Sequence, residues 1–217
     1  MTDASRNGTS AIQFVLASAN KDKAAEIVAI VKSVAGDAIS LVPRPDSVPE
    51  VEETGDTLEE NALLKAVAVS EATGMPAIAD DTGLSVDALD GAPGVYSARY
   101  SGEHATYADN VAKLLSELAR VSAETAEDRS ASFVTVAVAY FPDGTSIVAE
   151  GVVDGHIASQ AVGTGGFGYD PVFIPEAGDG RTFAEMTASE KHSLSHRGKA
   201  FRALAVGLMR QHDAGSD

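Results

Sequence analysis

The chain of 217 residues carries a formal charge of −16, with 44% hydrophobic and 22% charged residues and no cysteine. That length buries a sizeable core, as one domain or as two lobes sharing one. Without cysteine there are no disulfides, thiolate nucleophiles or cysteine-bound metals; no run of about 18 apolar residues offers a membrane span; and the acidic charge argues against nucleic acid or an anionic membrane as partner.

Residues 1–10, MTDASRNGTS, lack the basic start and apolar stretch of a signal peptide and read as an N-terminal tail of a cytoplasmic protein. Lys and Arg number only 16, and Lys21, Lys23, Lys65, Arg99, Lys191 and Arg197 all fall inside motif-like stretches. Scarce cations gathered in an acidic chain suggest a small polyanionic ligand such as a nucleoside triphosphate.

Residues 12–17, IQFVLA, read as a buried first strand. SANKDK at 18–23 turns it into a helix marked by Ala24, Ile27, Val28 and Val31, spaced i, i+3, i+4, i+7. Ser18, Asn20, Lys21 and Lys23 then stand at a helix N-terminus, where free N–H groups and the dipole favour phosphate. Plain capping by Ser or Asn beside solvated lysines accounts for them equally well. An acidic, proline-bearing link over 43–56 holds Glu50, Glu52 and Glu53, and Thr57 with Glu60 forms a capping box opening a helix through about Thr73. Asn61 and Lys65 share one face of it, and a surface lysine is the plainer reading of Lys65.

In PAIADDTG an apolar run stops at Asp80 and Asp81, followed by Thr82 and Gly83. This reads as the C-terminal end of a buried strand, where open α/β sheets bind ligands, and paired carboxylates beside a hydroxyl are hard oxygen donors suited to Mg²⁺. Asp-Asp-Thr-Gly is also good turn composition, and on these residues alone the two readings stand level. GLSVDAL alternates as the second strand of a hairpin, and GAPGVYSARYSG is a glycine-bearing loop holding Arg99. Residues 106–120 form an amphipathic helix with Val111, Leu114, Leu115 and Leu118 inward.

SFVTVAVAYF at 132–141 has the composition of a central strand, and PDGT turns it back into SIVAEGVV. Gly163, Gly165 and Gly168 formally match G-x-G-x-x-G, but Asp170-Pro171 and an extended run follow where a dinucleotide site needs a helix. Phe167 and Tyr169 on this loop are placed either to stack on a base or to pack in the core. Thr187 with Glu190 forms a second capping box, and Ser195 caps a terminal helix with Phe201, Leu204, Ala205 and Leu208 inward. His196 and Arg197 fall in its first turn, where cations call for a compensating anion. Residues 211–217 read as a C-terminal tail, leaving 11–210 as one domain.

Taken in order, SANKDK, EETGDTLEENALLKA, AIADDTGLSVDALDGAPGVYSARYSG, GTGGFGYDPVFIP and EKHSLSHRGKAF closely resemble the inosine triphosphate pyrophosphatase family of the bacterial dITP/XTP type, from about Phe14 to Phe201. Ser18-Ala19 stands where Thr-Gly is common and Thr82 where Ser is usual; a hydroxyl is kept in both. The resemblance implies an α/β fold, an elongated mixed β-sheet with flanking helices and two lobes around a central cleft, in a homodimer. It implies hydrolysis of ITP, dITP and XTP to monophosphate and pyrophosphate with Mg²⁺. By the same resemblance Ser18, Ala19, Asn20, Lys21, Asp22 and Lys23 hold the triphosphate with Lys65. Asp81 is the catalytic residue and a metal ligand, Glu52 is the second ligand with Glu50 and Glu53 as its alternatives, and Asp80 a weaker one. Thr82 is a substrate-contacting position, and Phe167, Gly168, Tyr169, Asp170, Lys191, His196 and Arg197 contact the base and sugar. A pyrophosphatase for other modified nucleotides and a non-catalytic nucleotide-binding module are the alternatives. Phosphatases with an aspartyl nucleophile need D-x-D, which the adjacent aspartates do not provide.

Overall fold

The computed structural model describes residues 11–214. In chain order it contains β1 (Ile12–Leu16), α1 (Lys21–Ala35), β2 (Ile39–Pro43), α2 (Leu58–Thr73), β3 (Ala77–Val86), β4 (Pro93–Gly94), α3 (Tyr107–Arg120), β5 (Ser130–Tyr140), β6 (Ser146–Ile157), β7 (Phe173–Pro175), α4 (Ala188–Leu194) and α5 (His196–Ala214). The sheet order is β2-β1-β3-β5-β6-β7, with β4 against β3. β1 pairs in parallel with β2 and β3, and the remaining pairs are antiparallel, so the sheet is mixed as expected. Among the described residues no helix is long and apolar enough to cross a membrane.

Local chemistry sets the helix starts. Thr57 and Glu60 exchange hydrogen bonds at the start of α2, and Thr187 and Glu190 do the same for α4. Ser195 Oγ accepts from Gly198 N at 3.0 Å, opening α5. Phe201, Leu204, Ala205 and Leu208 are buried as the spacing required, whereas Val28, expected on the inner face of α1, is 43% exposed, with Ile30 taking the inward position. β2 is an edge strand whose short sequence ISLVP gave little periodic signal. α5 continues through Ala214, into the stretch expected as a tail, while residues 1–10 and 215–217 lie outside the described residues.

β3 departs most from expectation. No turn follows the paired aspartates and no hairpin forms there: the strand runs straight through Asp80, Asp81, Thr82 and Gly83, in register with β5 from Ala77↔Tyr140 to Val86↔Ala131. Cross-strand pairing overrides the local turn preference, helped by a 2.7 Å hydroxyl contact between Thr82 and Thr135. On the other edge β3 pairs with β1 only at Ala77 and Ile78, and β4 joins at Leu84 and Ser85. Residues 79–83 therefore form a notch with one free edge, and that is where the sequence reading placed a strand end. A Cβ on Gly83 would come within 2.9 Å of Gly94 O, so only glycine lets β4 close the notch's far side.

Three apolar clusters surround this frame. Ile78, Ala137 and Ala139 pack with α1 and α5 on one face; Ala77, Ala79, Val136 and Val138 pack with α2 on the other. Leu84, Val86, Phe133, Phe173 and Phe183 pack with α3 beyond the notch, giving the second lobe its core. α5 lies against the backbone of β6, where a Cβ on Gly151 would overlap His196 O and stand 2.5 Å from Ala200 N. Gly151→Ala is expected to cost about 1–3 kcal/mol through overpacking, read by denaturant unfolding. Gly207→Ala, whose Cβ would meet only Ile147 Cγ2 at 3.5 Å, is expected to be neutral or stabilising. A wild-type unfolding midpoint in Gly151→Ala would show that this close approach does not seat α5.

Candidate active site

The turn from β1 into α1 forms one wall of a cleft of about 640 Å³. Asn20 Oδ1 caps α1, accepting from Asp22 N at 2.9 Å and Lys23 N at 3.1 Å. Ser18, Ala19, Asn20 and Lys23 line the cleft together with Arg44, Lys65 and Arg99, so four cations of an acidic chain meet in it. Lys21 and Asp22, grouped with them in the sequence reading, are exposed and line neither compartment of the site; Asp22 instead accepts from Tyr107 Oη at 3.2 Å.

The adjacent aspartates point opposite ways, as neighbours on a strand must. Asp81 turns toward α2 and meets Lys65 Nζ at 3.1 Å. Asp80 turns toward α1 and α5, 3.6 Å from Lys23 Nζ, 3.6 Å from Arg197 Nε and 3.2 Å from Thr82 Oγ1. Their titration separates accordingly. Burial works against ionised Asp80, yet Lys23, Arg197 and Lys65 outweigh it and hold its carboxyl at about 2. Burial pushes the Asp81 carboxyl up, against the pull of Lys65 and aided by Glu53.

Lys65 Nζ also stands 2.7 Å from Glu53, which takes Arg99 at 3.2 Å. The carboxylate brought to Asp81 is thus Glu53. Glu52, the expected metal ligand, is exposed on the cleft rim. Among the described residues no three His, Cys, Asp or Glu side chains form a ready metal cage. Asp81 and Glu53 nevertheless converge on one cationic centre, occupied by the Lys65 ammonium, and Asp81 Oδ2 is buried without a hydrogen-bond partner. That donor set fits Mg²⁺, which is commonly held by one or two carboxylates plus substrate phosphate and water.

A smaller, more apolar compartment adjoins the cleft and shares Asn20, Lys23 and Ala98 with it. Its walls include Thr82, Phe133, Phe167, His196 and Arg197. His196 stacks on Phe133 with ring centroids 4.3 Å apart; burial, with Arg197 and Lys191 nearby, holds its imidazole well below the ordinary value and hence neutral. Gly168 and Tyr169 also line the compartment, and Tyr169 donates to Ser97 O at 3.0 Å, tying the glycine loop to the loop after β4. Asp170 accepts from Phe167 N at 2.7 Å and from Lys191. Lys191 is buried behind Phe167, 4.8 Å from its ring, and lines neither compartment.

Glu26, which the sequence reading missed, joins this set: it meets Lys191 at 2.6 Å and Arg197 at 2.7 Å. Burial opposes its ionisation, but those two cations outweigh it and lower its pKa. Its only sequence signal was a position three residues after Lys23 on α1. Asn110, also missed, fixes the loop holding Arg99 by accepting from Ser101 N at 2.8 Å and donating to Ala98 O at 3.0 Å.

Residues 14–206 match the Ham1 family. The dITP/XTP pyrophosphatase of Streptomyces coelicolor is 48% identical over 194 residues, covering 88% of this chain and 94% of its own; that of Geobacter sulfurreducens is 48% identical over 192 residues with the same coverage. The structure of a HAM1 protein from Coxiella burnetii superposes with a TM-score of 0.81 at 40% identity, covering 92% of this chain and 99% of that one. The nucleoside-triphosphatase / dITP/XTP pyrophosphatase from Mycobacterium abscessus superposes with a TM-score of 0.68 at 44% identity, over 88% of this chain and 97% of that one. With the fold, the cation-lined cleft and the match all spanning nearly the whole chain, the protein belongs to the Ham1 family.

Proposed function

We propose that this chain hydrolyses dITP, ITP and XTP to the monophosphate and pyrophosphate, clearing them from the nucleotide pool. The observation that carries the reading is one cleft with two chemistries: Lys23, Lys65 and Arg99 on one side, with Asp80 in the wall and Asp81, which lines neither compartment, paired to Lys65, and Phe133, Phe167 and His196 on the other. A triphosphate needs the first and a purine the second. Relatives 48% identical over most of the chain carry the name dITP/XTP pyrophosphatase.

In the proposed reaction water attacks the α-phosphorus, the bond to the bridging oxygen breaks, and pyrophosphate leaves. Asp81, paired to Lys65 and with its Oδ2 unpartnered, is the carboxylate placed to take the water proton. Lys23 and Lys65 offset the charge accumulating on the phosphates. Mg²⁺, held by Asp81 and Glu53, would neutralise phosphate oxygens when bound. Asp80 is better employed holding Lys23 and Arg197 than binding metal, since it faces away from Asp81.

Discrimination against adenine calls for a donor to O6, because an amino group there leaves the donor unpaired. Phe167 N already donates to Asp170, so His196 and Arg197 are the candidates, with Glu26 positioning the guanidinium. A homodimer working in the cytoplasm completes the proposal and rests on the family resemblance; a small nucleotide rather than nucleic acid as partner rests on the charge.

A panel of dITP, ITP, XTP, ATP and GTP with Mg²⁺ should release pyrophosphate from the first three; release of orthophosphate alone would overturn the reading. Asp81→Asn should stay folded with kcat reduced about 10²- to 10⁴-fold, and near-normal turnover removes Asp81 from the chemistry. Glu26→Gln should raise KM for dITP about tenfold by loosening Arg197. Its pKa is depressed, so the stability it contributes is present above the ordinary value of 4.5 and lost as pH falls below that. Unfolding of Glu26→Gln should therefore depend less on acid pH than unfolding of wild type, and equal acid sensitivity would show that Glu26 gains nothing from its cations.

A further inference from the structure

Tyr107 is the first residue of α3, and α3 is anchored in the second lobe by Val111, Leu114 and Leu118. Its hydroxyl nevertheless reaches the phosphate turn of the first lobe. Tyr107 Oη accepts from Asn20 Nδ2 at 2.9 Å and donates to Asp22 Oδ2 at 3.2 Å. Both ends of the Asn20 amide are thereby engaged, its oxygen capping α1 and its nitrogen donating to the tyrosine. With the amide reversed, its NH₂ would face the N–H groups of Asp22 and Lys23 and the cap would be lost, so the cap fixes the NH₂ toward Tyr107. The chain Asn20 N–H to Tyr107 O–H to Asp22 carboxylate runs in one donor direction, so each bond polarises the next. The ring of the same residue lines the aromatic compartment, its centroid 5.9 Å from that of Phe167.

We propose that Tyr107 is a positioning residue that latches the two lobes across the cleft: its hydroxyl presets the phosphate turn through Asn20 and Asp22, while its ring forms the outer wall of the base compartment. The proposal rests on the reading of the cleft as a nucleoside triphosphate site. At 41% exposure the tyrosine lies at the mouth, so its bonds add little to folding. Their effect appears in how well the turn is arranged before substrate arrives, and preorganisation of this kind is felt in binding rather than in the chemical step.

The test is steady-state hydrolysis of dITP with Mg²⁺ by wild type, Tyr107→Phe and Lys23→Ala, with pyrophosphate as a competitive inhibitor and thermal unfolding of each variant. Tyr107→Phe is expected to raise KM for dITP about 3- to 10-fold, the equivalent of one or two hydrogen bonds. The inhibition constant of pyrophosphate should rise in parallel, with kcat within about twofold and the unfolding midpoint unchanged. A wild-type KM in Tyr107→Phe, with Lys23→Ala raising KM, overturns the latch and leaves the site standing. If neither variant raises KM, both the latch and the phosphate site fall. A fall in kcat together with a lowered unfolding midpoint in Tyr107→Phe would make the residue structural and likewise overturn the latch.

Discussion

Asp80 is a carboxylate with 3% exposure in the middle of a seven-stranded sheet, and the site is built around the conditions of its burial. An ion in such a place costs several kcal/mol unless other groups compensate it. Here the compensation comes from Lys23 near the start of α1, Arg197 at the start of α5, and Thr82 two residues along the same face. These lie on three different elements, so satisfying one charge fixes how two helix starts meet one strand. Arg197 extends the constraint, since its guanidinium also donates to Glu26 and Thr82, and Glu26 passes it to Lys191 and so to the loop holding Phe167. Losing one partner of a buried pair strands the other and costs about 3–5 kcal/mol, which makes the network a lock on geometry more than a source of net stability.

The same network explains how a protein of charge −16 offers a site to an anion. Over most of the surface the field repels polyanions, so loose association with nucleic acid or acidic lipid is disfavoured. Inside the cleft cations are concentrated instead: Lys23, Arg44, Lys65 and Arg99 line it among Glu50, Glu52, Glu53, Asp80 and Glu103, and Lys23, Lys65 and Arg99 are held there by Asp80, Asp81 and Glu53. Each carboxylate there keeps a cation ordered at low entropic cost, ready to be shared with phosphate. Only a ligand small enough to enter meets these cations together.

Local signals in the sequence were read well, and signals that depend on distant partners were not. The capping boxes of Thr57 with Glu60 and Thr187 with Glu190 are complete within four residues, and both open helices where expected. Asp80 to Gly83 read equally as a strand end and as a turn because turn preference is local, whereas the continuous strand they join is decided by β5 more than fifty residues later through contacts such as Thr82 with Thr135. Glu52 and Glu53 differ by one position in an irregular link with no period to set which side faces inward, and Lys65 and Arg99 make that choice only in three dimensions. Glu26 was invisible for the same reason, its partners lying 165 and 171 residues away. The motif SANKDK was read as one unit, but a helix start turns successive residues to different sides, so Lys21 and Asp22 leave the cleft that Ser18, Asn20 and Lys23 line.

The pleat of β3 then divides the labour between two neighbouring aspartates. Because adjacent side chains leave a strand on opposite faces, Asp80 is surrounded by Lys23 and Arg197 and held ionised, while Asp81 stands beside Glu53, is shielded from water and has its pKa raised. Had the pair sat in a flexible turn, both carboxylates would have shared one solvated environment and titrated alike. The strand is free to carry them because β1 leaves it at Ile78 and β4 joins only at Leu84, which opens one edge to the cleft without breaking the ladder to β5. A continuous strand with a local notch thus supplies two requirements that are hard to meet together: a rigid backbone under the two carboxylates, and a free strand edge beside them.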